Sequence, residues 1–268
     1  MTQSFSINQS IRLLLRHLSL LWRVTLNDLK IQYAGSFFGV GWAVLTPLVL
    51  LAIYAAVYLI IFQIRISNLT PLQYILYMFA GLVPFLMTSE ALVNGAGSVV
   101  ANKAVWTNTV FPIDLAPVKS VLMSQIPMVV GLVVITYILL FTGTISWVSL
   151  LLPIVWGLHI LFLIGLTWVL SLLTIILRDI RNVIALLMMA LMILSPIAYT
   201  PDMVPHGLKI LLVLNPLAYF IMAYQSILVL GQVPEVLDWI IMVAMSLTVF
   251  FLGSYFFGRA KAALIEYV

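Results

Sequence analysis

The chain has 268 residues, of which 64% are hydrophobic and 7% charged, with a formal net charge of +4. An ordinary soluble domain carries roughly 45–50% apolar and about 25% charged residues, so twelve Lys and Arg with eight Asp and Glu cannot clothe a soluble surface of this size. The composition therefore describes an all-α polytopic membrane protein whose cations are held at one membrane face; it argues against a nucleic-acid partner, and the absence of Cys removes disulfides and a thiolate nucleophile.

Residues 1–38 read as an N-terminal cytoplasmic and interfacial segment. No cleavable signal is expected, because the first long apolar run begins near residue 40, after a charged stretch. Within 10–34, Ile11, Leu14, Leu15, Leu18, Leu21, Trp22, Leu26 and Leu29 fall near one side of a helix, and Arg12, Arg16, Arg23 and Lys30 supply cations. That pattern predicts an amphipathic helix at the inner surface, the alternative being a helix packed on the bundle.

Residues 39–268 read as one membrane domain with six apolar runs, at 40–62, 74–94, 121–141, 150–177, 183–199 and 239–257. About 20 apolar residues cross the hydrocarbon core as a helix, and in lipid an isolated segment must satisfy its own backbone groups. Pro47, Pro84, Pro127 and Pro196 are expected to bend or interrupt these helices. If the N-terminus is cytoplasmic, Arg12, Arg16, Arg23, Lys30, Lys103, Lys119, Arg178, Arg181, Arg259 and Lys261 fall inside, leaving Arg65 and Lys209 outside. This bias predicts that both termini are cytoplasmic. A cytoplasmic connection is expected at 95–120. The outer region, 200–236, holds two apolar runs of about ten residues between Pro and Gly breaks, which predicts two short re-entrant helices between spans five and six.

Several side chains stand out against this background. Glu90 is the one acidic residue well inside a run, and Asn94 and Ser98 follow at four-residue steps. An intramembrane carboxylate must face protein or water, so the stripe is a candidate for a channel or subunit interface. Tyr54, Tyr58, Tyr199, Tyr219 and Tyr224 are candidates to line a translocation path, offering a flat apolar face and a hydroxyl; an aromatic belt is the competing explanation. Lys103, Asp114, Arg178, Asp179 and Arg181 are candidates for coupling to a partner, and Lys119 reads as an interfacial anchor. His159 and Ser98 lack a nucleophile and base framework, so an intramembrane hydrolase is disfavoured and no catalytic or metal site is expected; a lone membrane His more often completes a polar contact.

Three stretches resemble a known family. NDLKIQYAGSFFGVGWAVLTPLVLL at 27–51, VFPIDLAPVKSVL at 110–122, and ILRDIRNVIALLMMALMILSPIAYTPDMVP at 176–205 with LLVLNPLAYFIMAYQSILV at 211–229 are similar to the permease subunits of type-2 ABC transporters that export polysaccharides and polyol phosphates. The resemblance runs through nearly the whole chain in order. It implies a homodimer bound to two copies of a separate cytoplasmic ATPase and moving a lipid-linked polysaccharide: O-antigen first, capsule or teichoic acid otherwise. The chain carries no G-x-x-x-x-G-K-[ST] loop, so ATP and Mg would be used by the partner, with no cofactor bound by the permease itself. It also implies that the N-terminal helix and the connection between spans two and three contact that ATPase. A secondary transporter or channel is the remaining alternative, distinguished by activity without an ATPase.

Overall fold

The computed structural model describes residues 16–32, 34–61, 63, 69–102 and 112–264. Ile11, Arg12, Leu14, Leu15, Arg65 and Lys103 lie outside the described residues. The described secondary structure is all helical: α1 (Leu18–Gln32), α2 (Trp42–Ala55), α3 (Pro71–Ala101), α4 (Leu115–Phe141), α5 (Leu152–Ile176), α6 (Ile180–Leu194), α7 (Lys209–Leu214), α8 (Pro216–Gln225) and α9 (Val236–Leu264). Short 3-10 or π turns lead into α2 and α5 and extend α2 and α8. A helix stands at each of the six expected spans, and the chain is an all-α polytopic membrane protein.

The second span sits at the centre, packed on α2, α4, α5, α6 and α8. Its start is written locally: the Thr70 hydroxyl accepts from Gln73 N, the Gln73 side chain accepts from Thr70 N at 2.9 Å, and Pro71 occupies the first turn. Its end differs from expectation. The helix runs on to Ala101, so the connection to α4 is much shorter than 95–120. The GAGS stretch that resembles a loop is a packing face, because a Cβ on Gly95 would collide with Thr167 of α5. Small residues likewise set the other close contacts: Gly131 of α4 faces Val83 of α3, and Gly165 of α5 lies against the backbone of α9 at Val249 and Gly253.

Pro47, Pro84 and Pro127 lie inside continuous helices, whereas the fifth span breaks at Pro196. The residue before a proline is driven to extended backbone, and Ser195 (ψ 147°) closes α6 after 15 residues. At 1.5 Å per residue that is about 22 Å, short of the roughly 30 Å hydrocarbon core. Non-helical backbone completes the span, and side chains take its carbonyls. Tyr74 Oη donates to Ala198 O at 2.7 Å, and Gln225 Nε2 donates to Pro196 O at 2.9 Å and Ile197 O at 3.1 Å.

The segment from His206 to Leu230 forms two helices bent by 96° about Asn215. Asn215 holds the bend: its Oδ1 accepts from Leu217 N and its Nδ2 donates to Ser195 Oγ at 2.9 Å. One flank leaves from Ala198, beside Tyr74 in the first turn of α3. The other returns at Gly231 beside Ser146, in the connection between α4 and α5. Both flanks thus lie at the same end of the bundle, as a re-entrant hairpin requires.

Candidate functional site

The opposite end gathers the C-terminal end of α3, the start of α4 and the start of α6, and bears Lys119, Arg178 and Arg181. At this basic end α1 docks by a narrow edge: Leu21 and Thr25 are buried toward the bundle, while Leu18, Trp22, Leu26 and Ile31 stay exposed. The helix thus packs on α4, as the alternative reading of this segment has it, and still presents an exposed apolar face. Lys119 departs from expectation. Instead of anchoring at the interface it is buried, pairs with Asp28 of α1 at 2.5 Å and donates to Asn102 Oδ1 at 2.8 Å. A charge so far from water requires such partners, and they tie α1 to both ends of the α3–α4 connection.

Two adjoining cavities open here. The first, about 530 Å³, lies between α1, α2, α3 and α4 and is lined by Gln32, Trp42, Thr46, Ser89, Glu90 and Asn94 among others. Gln32 hydrogen-bonds the Glu90 carboxylate, and Glu90 faces a hollow that several polar side chains share with apolar ones. The second cavity, about 520 Å³, shares Gln32 and Asn94 and adds Asp28, Asn102, Lys119 and Arg181. Asn94 lies one turn beyond Glu90 and Ser98 another turn on, so the expected polar stripe is the floor of these cavities. Ser98 itself is buried and donates to Gly95 O.

Trp42 and Thr46 of α2 line the first cavity. Toward the other end of the bundle the Tyr54 and Tyr58 rings stack at 5.9 Å beside Tyr74 and Tyr77. Tyr199 is half-buried and donates to Leu194 O. Tyr219 donates to Val213 O across the hairpin bend at 3.1 Å. Tyr224 is fully buried in the core near His159.

The RDIRN turn is exposed, and among the described residues no ion pair joins Arg178, Asp179 or Arg181. Arg181 turns instead toward the second cavity. Asp114 is buried at the start of α4, where its backbone carbonyl accepts from Trp168 Nε1 at 3.0 Å. His159 makes the expected polar contact. The Thr88 hydroxyl donates to Pro84 O, which leaves His159 Nε2 to donate to Thr88 Oγ1 at 2.9 Å while the ring stacks on Phe220. Among the described residues no three His, Asp or Glu side chains converge as metal ligands would.

No family model matches the chain. It is 28% identical over 217 residues to an O-antigen export system permease protein RfbA of Klebsiella pneumoniae, covering 78% of this chain and 79% of that protein. A protein of the same name from Myxococcus xanthus is 23% identical over 259 residues, 96% of this chain and 98% of its own length. The resemblance to export permeases is borne out. These relatives are permease subunits, and the match to the second runs from the interfacial helix through the last span.

One part of the site escaped sequence reading: the Asp28–Lys119 pair joins residues far apart in the chain. The clue to Lys119 was its place in the largely apolar VKSVL, two residues after Pro117.

Proposed function

We propose that this chain is the membrane subunit of an ATP-driven exporter that moves a lipid-linked polysaccharide, O-antigen, across the bacterial inner membrane. The observation that carries this reading is the match, over 96% of the chain and 98% of the relative, to an O-antigen export permease. The basic end is then cytoplasmic, both termini lie inside, and residues 39–268 form the permease domain.

Two copies of the chain assemble along the nearly uncovered faces of α2 and α6, where only Ala43, Pro47 and Met188 are buried. That apolar surface supports a subunit contact beside lipid. Two copies of a separate ATPase dock at the basic end, against α1 and the turn at Arg178 and Asp179, and use ATP and Mg to drive the dimer between conformations. The glycan passes along Thr46, Tyr54 and Tyr58, with Tyr199 at its outer limit. Many weak contacts along such a path let a polymer slide.

The test is removal of the gene from its host. Loss of surface O-antigen, with lipid-linked glycan accumulating on the cytoplasmic side and recovery on re-expression, is the expected result. Normal surface O-antigen with loss of capsule or teichoic acid would assign a different glycan, and loss of none would remove the export reading. A secondary transporter would retain activity without an ATPase partner.

A further inference from the structure

The second cavity at the basic end has an electrostatic imbalance. Its charged lining is Asp28, Lys119 and Arg181, and Asp28 is already neutralised by Lys119 at 2.5 Å. Arg181 is therefore in excess, and among the described residues no carboxylate lies within ion-pair distance of it. The rest of the polar lining is neutral: Gln32, Asn94, Ser98, Asn102 and Ser120. A cavity of about 520 Å³ falls within the roughly 300–1,000 Å³ range of small-molecule sites.

The placement of Arg181 is built by its neighbours. Its stem crosses α3 at Gly97, where a Cβ would stand 3.2 Å from Cδ and 3.6 Å from Nε. Glycine at 97 lets the arginine lie flat against the helix with its guanidinium toward the hollow. A guanidinium presents paired N–H donors that match the oxygens of a phosphate. Lys119 is held by Asp28 and Asn102 and adds no net charge, so Arg181 supplies the positive charge of the cavity.

We infer that this cavity binds a phosphate group drawn from the inner headgroup layer, namely the phosphate linkage between the lipid and the glycan of the exported chain. This rests on the export reading above and adds the place where the cargo is first held. Arg181 is the contact residue. Gly97 keeps the arginine in position.

The experiment uses the purified full-length permease in uncharged detergent, without the ATPase, and titrates farnesyl diphosphate, farnesol and inorganic pyrophosphate by calorimetry. Farnesyl diphosphate should bind, pyrophosphate should compete with it, and farnesol should bind at least tenfold more weakly. Arg181→Gln should weaken the diphosphate at least tenfold, and Arg181→Lys should recover part of the loss. Gly97→Val, which displaces the arginine without changing charge, should weaken it as well. Arg181 is exposed, so its variants should keep the parent's elution profile and melting temperature. Farnesol binding as tightly as the diphosphate, or Arg181→Gln binding like the parent, would overturn the proposal. So would phosphatidylglycerol displacing farnesyl diphosphate at equal concentration, because the site would then belong to bulk lipid. Gene removal that abolishes O-antigen export while Arg181→Gln binds normally would sink this site and leave the export reading standing.

Discussion

Gln225 donates its side-chain amide to the Pro196 carbonyl at 2.9 Å, and through that contact the re-entrant hairpin closes the gap left by a fifth span that is too short. The same nitrogen reaches Ile197 O at 3.1 Å and Tyr77 O at 3.4 Å. Gly81 makes the room, since a Cβ there would lie 2.6 Å from Gln225 Nε2. In lipid these carbonyls have no water to turn to.

Gln225→Leu should therefore destabilise the protein while keeping side-chain volume. Leaving a buried acceptor unsatisfied costs about 1–3 kcal/mol. Thermal unfolding in detergent should show a lower midpoint, and Gly81→Ala should show a loss of similar kind by displacing the amide. A parent-like midpoint for Gln225→Leu would mean that the carbonyls after α6 find other donors.

The contact between α5 and α9 gives a second prediction. A Cβ at Gly165 meets the backbone of Val249 and Phe250, which cannot swing aside as a side chain would, whereas nothing lies within 4 Å of one at Gly157. Overpacking typically costs about 1–3 kcal/mol, so Gly165→Ala should reduce folded yield and melting temperature. Gly157→Ala, on the same helix, should stay within about 0.5 kcal/mol of the parent. Equal effects at the two sites would contradict the modest distance between these helices.

These two predictions mark the boundary of what the sequence could say. Long apolar runs located all six spans, and the Pro and Gly breaks around Asn215 located the hairpin. Both signals are local, arising from the length of a lipid-compatible helix and from residues that cannot continue one. How far α3 runs past residue 95 was not legible, because Gly95 and Gly97 pack against Thr167 of α5 and Arg181 of α6, far away in the sequence. Glu90 was legible as a residue facing a partly polar hollow because lipid forbids the alternative. Its partner Gln32 was not, since a helix outside the spans supplies it.

The turn at Arg178 and Asp179 is exposed and outside the packed core. Exposed substitutions usually change stability by about 0.5 kcal/mol or less, so Arg178→Glu and Asp179→Arg should leave folded yield unchanged. They should lower ATPase activity coupled to transport in reconstituted vesicles if this turn meets the ATPase. Export at the parent rate by both variants would remove the turn from the coupling path.

Tyr54 and Tyr58 stack on each other and rest on Tyr74, Tyr77 and Met78. An aromatic pair contributes about 0.5–1.5 kcal/mol beyond burial, so replacing both by Leu should lower the melting temperature slightly while the protein still assembles. The functional effect should be larger: stimulation of ATPase activity by purified lipid-linked glycan should fall, because Leu has neither a flat face nor a hydroxyl. Unchanged half-saturation and maximal stimulation would make the pair a packing feature only.

The chain's lack of Cys makes it a clean host for thiol labelling, and the side of one loop decides between two topologies. In the first, α6 and the non-helical residues after it cross the membrane, and the hairpin from His206 to Leu230 returns to the side it came from. In the second, the short α6 fails to cross and the bent pair crosses in its place, giving the same number of crossings and the same sides for both termini. Termini alone cannot separate them, but Asp202 can, because it lies outside in the first case and inside in the second. The structure favours the first, since Ala198 contacts Tyr74 and Gly231 lies beside Ser146 at one end of the bundle. Asn27, Thr144, Asn182 and Asp202 are exposed positions suited to probes. In spheroplasts, a membrane-impermeant maleimide should label Thr144→Cys and Asp202→Cys, while Asn27→Cys and Asn182→Cys should react only after the membrane is disrupted. Ala262→Cys should match Asn27→Cys if the crossings are even in number. Labelling of Thr144→Cys but not Asp202→Cys before disruption would make the bent pair a broken span, and labelling of Ala262→Cys but not Asn27→Cys would require an odd count and end the six-span reading.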